Sequence, residues 1–143
     1  MRLETLHIEE NGCTAVLNAY LIDQRHKATP EKRNAVLILP GGGYHFTSER
    51  EGEPIALKYL AEGMNCFILW YTVAPDAVFP TALRQAAKAV ALIRARADDF
   101  MIDPRRVAVA GFSAGGHLAA SLGVLWNDPC VTDAVPAQAA RPD

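Results

Sequence analysis

The sequence predicts an α/β protein whose mostly parallel sheet opens with an antiparallel hairpin and carries helices on both faces. Three observations lead there. Three short apolar runs, Ala35-Val36-Leu37-Ile38-Leu39, Asn65-Cys66-Phe67-Ile68-Leu69-Trp70-Tyr71 and Arg106-Val107-Ala108-Val109-Ala110, have the composition of strands buried on both faces. The segments between them carry helical periodicity, and alternation of the two types is the pattern of a parallel sheet. Ahead of them, two alternating stretches, Leu3 to Glu9 and Thr14 to Ile22, flank Asn11-Gly12, the dipeptide that best tolerates the positive φ angles of a tight hairpin turn.

After the hairpin, residues 23–34 are polar, carry four positive charges and include Pro30, so a solvated loop is expected. The first buried strand then ends in Pro40-Gly41-Gly42-Gly43. Ser48-Glu49-Arg50-Glu51 has the S-x-x-E form of a capping box, but a helix begun there would hold Pro54 in its interior, where the ring clashes with the preceding turn. The helix is therefore expected to begin near Pro54, to bury Ile55, Leu57, Tyr59 and Leu60, and to end at Gly63. Over residues 81–98, Leu83, Ala87, Val90, Ile93 and Ala97 recur at three- and four-residue steps. Arg84, Gln85, Lys88, Arg94 and Asp98 fall mostly outside that stripe, which makes this an amphipathic helix packed on the sheet. A third helix follows Ser113. Residues 131–143 lack periodicity and are expected to form a loop. No repeat or linker divides the chain, so residues 1–143 read as part of one domain.

Half of the 143 residues are hydrophobic, enough for a sizeable core, and a net charge of -2 gives no electrostatic reason to seek nucleic acid or an anionic membrane. Arg2, Glu4, His7, Glu9 and Glu10 leave no apolar stretch for a signal peptide or membrane anchor, and a cytoplasmic protein is the default. Cys13, Cys66 and Cys130 are odd in number and far apart, which fits reduced thiols rather than a disulfide framework or a zinc site. No cluster has metal-ligand spacing, and both G-x-x-x-x-G-K-[ST] and G-x-G-x-x-G are missing, so neither metal, nucleotide nor other cofactor is expected.

The chemistry concentrates in Gly111-Phe112-Ser113-Ala114-Gly115-Gly116-His117, between an apolar run and a helix-forming run. Glycines two positions either side of Ser113 let a strand turn abruptly into a helix while holding a serine at the apex, the arrangement of a nucleophile elbow. The helix that follows aims its free amides and positive end at the serine oxygen, where negative charge develops during acyl transfer. Ser113 is the candidate nucleophile. In Pro40-Gly41-Gly42-Gly43-Tyr44 the missing side chains let backbone N–H groups approach a substrate oxygen, so the N–H of Ala114 with that of Gly42 or Gly43 is the candidate oxyanion hole. Tyr44 and His45, beside this loop, are the candidate substrate contacts. His117 lies four residues beyond Ser113 on the same helix, a position for packing or hydrogen bonding rather than for a base facing the serine. His7 and His26 read as strand and loop residues, Asp103 as a turn former before Pro104, and Asp128, Asp133 and Asp143 follow no recognisable strand.

These segments, together with Arg50-Glu51-Gly52-Glu53-Pro54-Ile55-Ala56, Tyr71-Thr72-Val73-Ala74-Pro75, Phe79-Pro80 and Ile102-Asp103-Pro104-Arg105-Arg106-Val107, resemble the esterase and lipase branch of the α/β-hydrolases. Within that branch they resemble small carbohydrate-esterase and acetylxylan-esterase-like proteins, from about residue 34 to 126. The resemblance implies a carboxylic ester hydrolase acting on a small ester, with Ser113 as nucleophile and Gly42, Gly43 and Ala114 as donors. The family takes its acid and histidine from later in the chain, in the order serine, acid, histidine, and the 30 residues after Ser113 hold no counterpart. Pro40 stands where many relatives have histidine. The expectation is therefore a truncated α/β-hydrolase fold, its N-terminal part, with little or no activity on its own; the alternative is a non-catalytic binding or interaction module. A sheet ended after the nucleophile strand would leave one edge and the helix face of Leu118, Leu122 and Leu125 uncovered, which invites self-association through that edge.

Overall fold

The computed structural model describes residues 1–24 and 31–143. Asn11 and Gly12 adopt φ of 50° and 74° and close the hairpin between β1 (Arg2–Glu10) and β2 (Cys13–Leu21), in register from Arg2 opposite Leu21 to Glu10 opposite Cys13. Two successive positive φ angles give the turn whose twist matches that of the strands it joins. The apolar runs form β3 (Arg33–Leu39), β4 (Asn65–Trp70) and β5 (Ile102–Gly111). The sheet order is β1-β2-β4-β3-β5, with β4, β3 and β5 parallel and β2 antiparallel to both of its neighbours. β1 therefore runs with the parallel strands, and β2 alone opposes them.

Side-chain alternation sorts the sheet into two layers. Tyr20, Val36, Ile38, Cys66 and Ile68 face α1 (Glu53–Ala61), while Leu17, Leu37, Leu39, Phe67 and Leu69 face α2 (Thr81–Ala95) and α3 (Ala114–Leu125). Pro54 sits in the first turn of α1, where its missing N–H has no intrahelical partner to lose. That helix buries only Ala56 fully; Ile55, Tyr59 and Leu60 are half-buried, and Leu57, expected inside, is exposed because it lies on the solvent side of a helix that covers a single layer. In α2 the predicted stripe is buried, but so is Gln85. A polar side chain is tolerated there because backbone and hydroxyl partners meet it, as described below.

Two boundaries move. Arg33, expected in a loop, opens β3 and donates to Gly63 O at 2.8 Å, and β5 begins at Ile102 rather than Arg106. Residues 25–30 of the expected loop lie outside the described residues. On either side of them Gln24 and Glu31 exchange two hydrogen bonds, Gln24 Nε2 donating to Glu31 O (2.9 Å) and Glu31 N–H to Gln24 Oε1 (3.0 Å).

The tail departs most from expectation. Residues 131–143 are no loop: α4 (Pro129–Thr132) and α5 (Ala137–Ala140) fold back on α2, and Val131, Val135 and Ala140 are buried. Single-turn helices leave no periodicity to read, and what fixes them is polar. Asp128 Oδ1 accepts the Cys130 N–H at 2.8 Å and caps α4. Arg94, largely buried, donates to Pro104 O (2.8 Å), Ala139 O (3.0 Å) and Arg141 O (2.5 Å) and pairs with Asp143 (2.6 Å). Asp143 in turn exchanges bonds with Val107 on the outer side of β5, accepting its N–H at 3.0 Å and donating its own N–H to Val107 O at 3.1 Å. Leu118 and Leu122 are consequently buried and Leu125 half-buried, so the helix face expected to be bare is covered; Val124, 79% exposed, is the large apolar residue α3 shows to solvent.

Arg94 thus joins α2, β5 and the tail. Arg94→Met keeps the aliphatic stem and removes the donors, so about 1–3 kcal/mol of stability should be lost. Amide exchange measured by mass spectrometry should accelerate over residues 137–143 while the hairpin is unaffected.

Candidate active site

Ser113 stands between the end of β5 at Gly111 and the start of α3 at Ala114, with φ 49° and ψ -118°. A non-glycine residue held there stores roughly 1–3 kcal/mol of strain, so its surroundings must fix it from both sides. They do so through the backbone. Phe112 N–H donates to Leu39 O (3.1 Å), Gly115 N–H to Phe112 O (2.8 Å) and His117 N–H to Ser113 O (2.9 Å). A Cβ on Gly111 would lie 2.1 Å from Gly115 O, and one on Gly115 would lie 1.9 Å from Leu39 O, as the elbow reading requires.

The glycine loop faces this apex. Gly41 presses on it so closely that a Cβ there would come within 3.0 Å of Ser113 Cβ. Gly42, at φ 138°, has no room for a side chain because Phe46 O occupies the space, 2.0 Å from where a Cβ would sit. The loop folds on itself, with His45 and Phe46 N–H donating to Gly42 O (3.0 and 3.3 Å) and Ser48 N–H to Gly41 O (2.8 Å). Two further residues pin it, neither of them marked by a motif that pointed to this role. Tyr71 OH donates to Pro40 O at 2.6 Å, and the Glu51 carboxylate accepts the Gly41 N–H at 2.8 Å. The S-x-x-E string is thereby explained: Ser48 caps nothing with its side chain, and Glu51 spends its charge on the glycine loop. The N–H groups of Gly42 and Gly43 donate to no acceptor among the described residues, and Ala114 N–H is the first of α3, where helical amides lack an intrahelical partner. Ser113, Gly42, Gly43, His45 and Arg50 line one open cavity of about 450 Å³.

Tyr44 is turned the other way. Its hydroxyl lies 2.8 Å from His117 Nδ1, a bond the phenol donates when the neutral imidazole carries its proton on Nε2. The two rings meet edge to face at 5.9 Å, Tyr71 tilts against Tyr44 at 6.0 Å, and Tyr44 O accepts the Ala74 N–H at 2.8 Å. Burial raises the Tyr44 phenol above its usual range and, with help from Tyr44 and Glu51, pushes that of Tyr71 up to about 12, so both remain protonated donors at neutral pH. Behind them, Gln85 uses both ends of its amide, accepting the Thr72 N–H at 2.9 Å and donating to Thr72 Oγ1 at 2.8 Å. Nothing in the helical pattern distinguished Gln85 from its exposed neighbours; its position beside the stripe was the available signal.

Of the remaining sequence candidates, His117 has the hydrogen-bonding role expected of it, and Asp103, inside β5 rather than in a turn before it, accepts the Arg105 N–H at 3.0 Å. Asp128, Asp133 and Asp143 are engaged by Cys130, Arg84 and Arg94. Among the described residues, Ser113 Oγ bonds to neither a histidine nor a carboxylate, no group of three or more His, Cys, Asp or Glu could hold a metal ion, and no helix is long and apolar enough to cross a membrane.

The BD-FAE family model matches residues 19–141. The chain belongs to the BD-FAE family. The relatives it matches include esterases and α/β-hydrolases, as the motifs imply. Over 114 residues, 78% of this chain and 28% of the relative, it is 40% identical to esterase LipC of Mycobacterium tuberculosis. Among solved structures, MGS-M1, an α/β-hydrolase enzyme from a Medee basin deep-sea metagenome library, is 44% identical with a TM-score of 0.76, covering 85% of this chain and 51% of that one. Carboxylesterase Cest-2923 of Lactobacillus plantarum is 29% identical with a TM-score of 0.86, covering all of this chain and 53% of that one. This BD-FAE chain thus has an α/β-hydrolase fold and spans about half the length of the solved relatives and less of the curated one.

The packing of Gly115 gives a direct test of the elbow. Gly115→Ala should cost about 4 kcal/mol or more, at the diagnostic end of single substitutions, or abolish folding. Gly123→Ala in the same helix, where an added Cβ meets nothing within 4 Å, should stabilise by up to about 1 kcal/mol. Chemical denaturation of the two variants should separate them by at least about 4 kcal/mol.

Proposed function

We propose that this chain carries the nucleophile half of a serine carboxylic-ester hydrolase acting on small acyl or carbohydrate esters. The observation that supports this most strongly is the strained φ of Ser113 directly opposite the unbonded amides of Gly42 and Gly43. In the proposed reaction Ser113 Oγ attacks the ester carbonyl carbon and gives its proton to a base; the C–O bond to the alcohol breaks, and the alcohol takes that proton as it leaves. Water then attacks the acyl-enzyme, releasing the acid and restoring the serine. Negative charge on the carbonyl oxygen in each tetrahedral intermediate falls to the N–H groups of Ala114 and of Gly42 or Gly43, aided by the positive end of α3. His45, exposed in the same cavity, touches substrate.

The base and its acid are assigned to residues outside these 143, in keeping with the lack of a histidine or carboxylate bonded to Ser113 among the described residues. The same observation favours the second reading, a non-catalytic relative that binds a small ester or a partner chain. A cytoplasmic setting, and self-association through the edge of β5 beyond the Asp143 contact at Val107, belong to the proposal as well.

The discriminating experiment is hydrolysis of 4-nitrophenyl acetate. The 143-residue chain should show at most the residual 10³–10⁴-fold effect over water that an oxyanion hole and binding supply without a full triad, and Ser113→Ala should remove any acyl-enzyme seen by mass spectrometry. Turnover above about 1 s⁻¹, the range of ordinary enzymes, that survives Ser113→Ala would overturn the assignment of the nucleophile.

A further inference from the structure

Of the hydrogen bonds that order the glycine loop, one reaches the helix that follows Ser113. Tyr44 OH meets His117 Nδ1 at 2.8 Å, and among the described residues no other hydrogen bond joins residues 41–44 to α3. Glu51, Tyr71 and Ala74 tie the loop to other segments instead. Both ends of the Tyr44–His117 pair sit one step from groups assigned to the reaction. Tyr44 follows Gly43 directly, and the N–H of His117, three residues after Ala114, donates to Ser113 O at 2.9 Å in the first turn of α3. The pair therefore spans from one set of candidate amides to the other.

The backbone at Tyr44 needs such an anchor. Its φ of 62° follows a φ of 63° at Gly43, two left-handed residues in succession. Glycine adopts that conformation freely, whereas a tyrosine holds it at a cost that its surroundings must offset. What tyrosine adds is reach. Its ring meets that of His117 edge to face at 5.9 Å and tilts against Tyr71 at 6.0 Å, so the hydroxyl arrives at the imidazole with its direction fixed. Burial keeps the phenol protonated, and hence a donor, at neutral pH. That donor is spent on Nδ1, and Tyr44 does not line the cavity at Ser113, so it has nothing to offer a substrate there.

We infer that Tyr44 and His117 are positioning residues, a strut that sets the distance between the amides of Gly42 and Gly43 and that of Ala114. The inference rests on the ester-hydrolase reading above and names two residues that hold its site without touching the reacting atoms. An oxyanion is stabilised only where both donor sets reach it within about 2.7–3.1 Å, so a slack strut spoils the hole although every donor is still present. A misplacement of about 1 Å costs up to about a hundredfold in rate.

The test is a two-residue cycle with a rescue. Tyr44→Phe removes the hydroxyl and keeps the ring, and His117→Ala removes the acceptor. His117→Asn puts a carbonyl oxygen in the place of Nδ1, the same number of bonds from Cβ. In the 143-residue chain, phosphonylation of Ser113 by a fluorophosphonate, followed by intact-mass spectrometry, should slow about ten- to a hundredfold in Tyr44→Phe and in His117→Ala. The double variant should be no slower than the slower single one, and His117→Asn should stay within about threefold of the parent chain. Exchange of the amides that close the loop, those of Gly41, His45, Phe46 and Ser48, should quicken in the same order by NMR while β3 and β5 keep their protection. Effects that multiply in the double variant, no recovery in His117→Asn, or a parental rate in a folded Tyr44→Phe chain would overturn the strut. Quickened exchange that asparagine restores, with Ser113 inert in every variant and in the parent, would leave the strut standing and remove the hydrolase reading. Ser113 reacting at the parental rate in all the variants would do the reverse.

Discussion

The contact on which the rest depends is between bare backbones, where the first turn of α3 lies against the end of β3. Gly115 approaches the Leu39 carbonyl so closely that a Cβ would fall 1.9 Å from its oxygen, and Gly111 approaches Gly115 in the same way. No side chain fits between helix and strand. That proximity forces the chain through Ser113 at positive φ, and it brings the amide end of α3 beside the loop that leaves β3. The elbow, the opposing glycine loop and the cavity they share therefore follow from one packing distance. The strain at Ser113 is offset by the strand hydrogen bonds and buried side chains on either side, not by anything the serine itself touches.

A second set of interactions holds the loop once the contact has been made. Glycines supply freedom, and freedom costs order; the loop at 40–44 is held because Glu51, Tyr71, Ala74 and His117 each take one of its groups. Gln85 performs the same service one layer deeper, fixing Thr72 so that Tyr71 and Ala74 on either side present their bonds in place. These residues come from four different segments. They convert a permissive sequence into a cleft with two unpaired amides, which is the condition for stabilising an oxyanion without reorganisation.

The parts of this arrangement that were legible in the sequence are those written in local physics. Asn11-Gly12 marks a turn because few dipeptides accept its angles, the buried strands announce themselves as unbroken apolar runs, and Pro54 sets the start of α1 because proline is tolerated there and not three residues later. Gly111 and Gly115 about Ser113 predicted the abrupt turn from strand to helix with the serine at its apex. Interactions across long sequence separations were not legible. Glu51 looked like half of a capping box, Gln85 like a solvent-facing residue of an amphipathic helix, and Leu57 like part of a buried stripe. The tail looked unstructured because Arg94 and Asp143, rather than any periodic pattern, decide its path. Sequence periodicity reports burial against one surface; it is silent about which polar group a folded chain will bring opposite another.

The central claim is that Ser113 Oγ and two sets of amides converge on one reacting oxygen. The most direct measurement is a crystal structure of the chain after prolonged exposure to a fluorophosphonate, long enough for a single slow phosphonylation. Fluoride should be displaced and phosphorus bonded to Ser113 Oγ, with the polarised phosphoryl oxygen about 2.7–3.1 Å from the N–H of Ala114 and from that of Gly42 or Gly43. Phosphonylation of another residue, or an adduct on Ser113 whose oxygen points to solvent away from both amides, would contradict it.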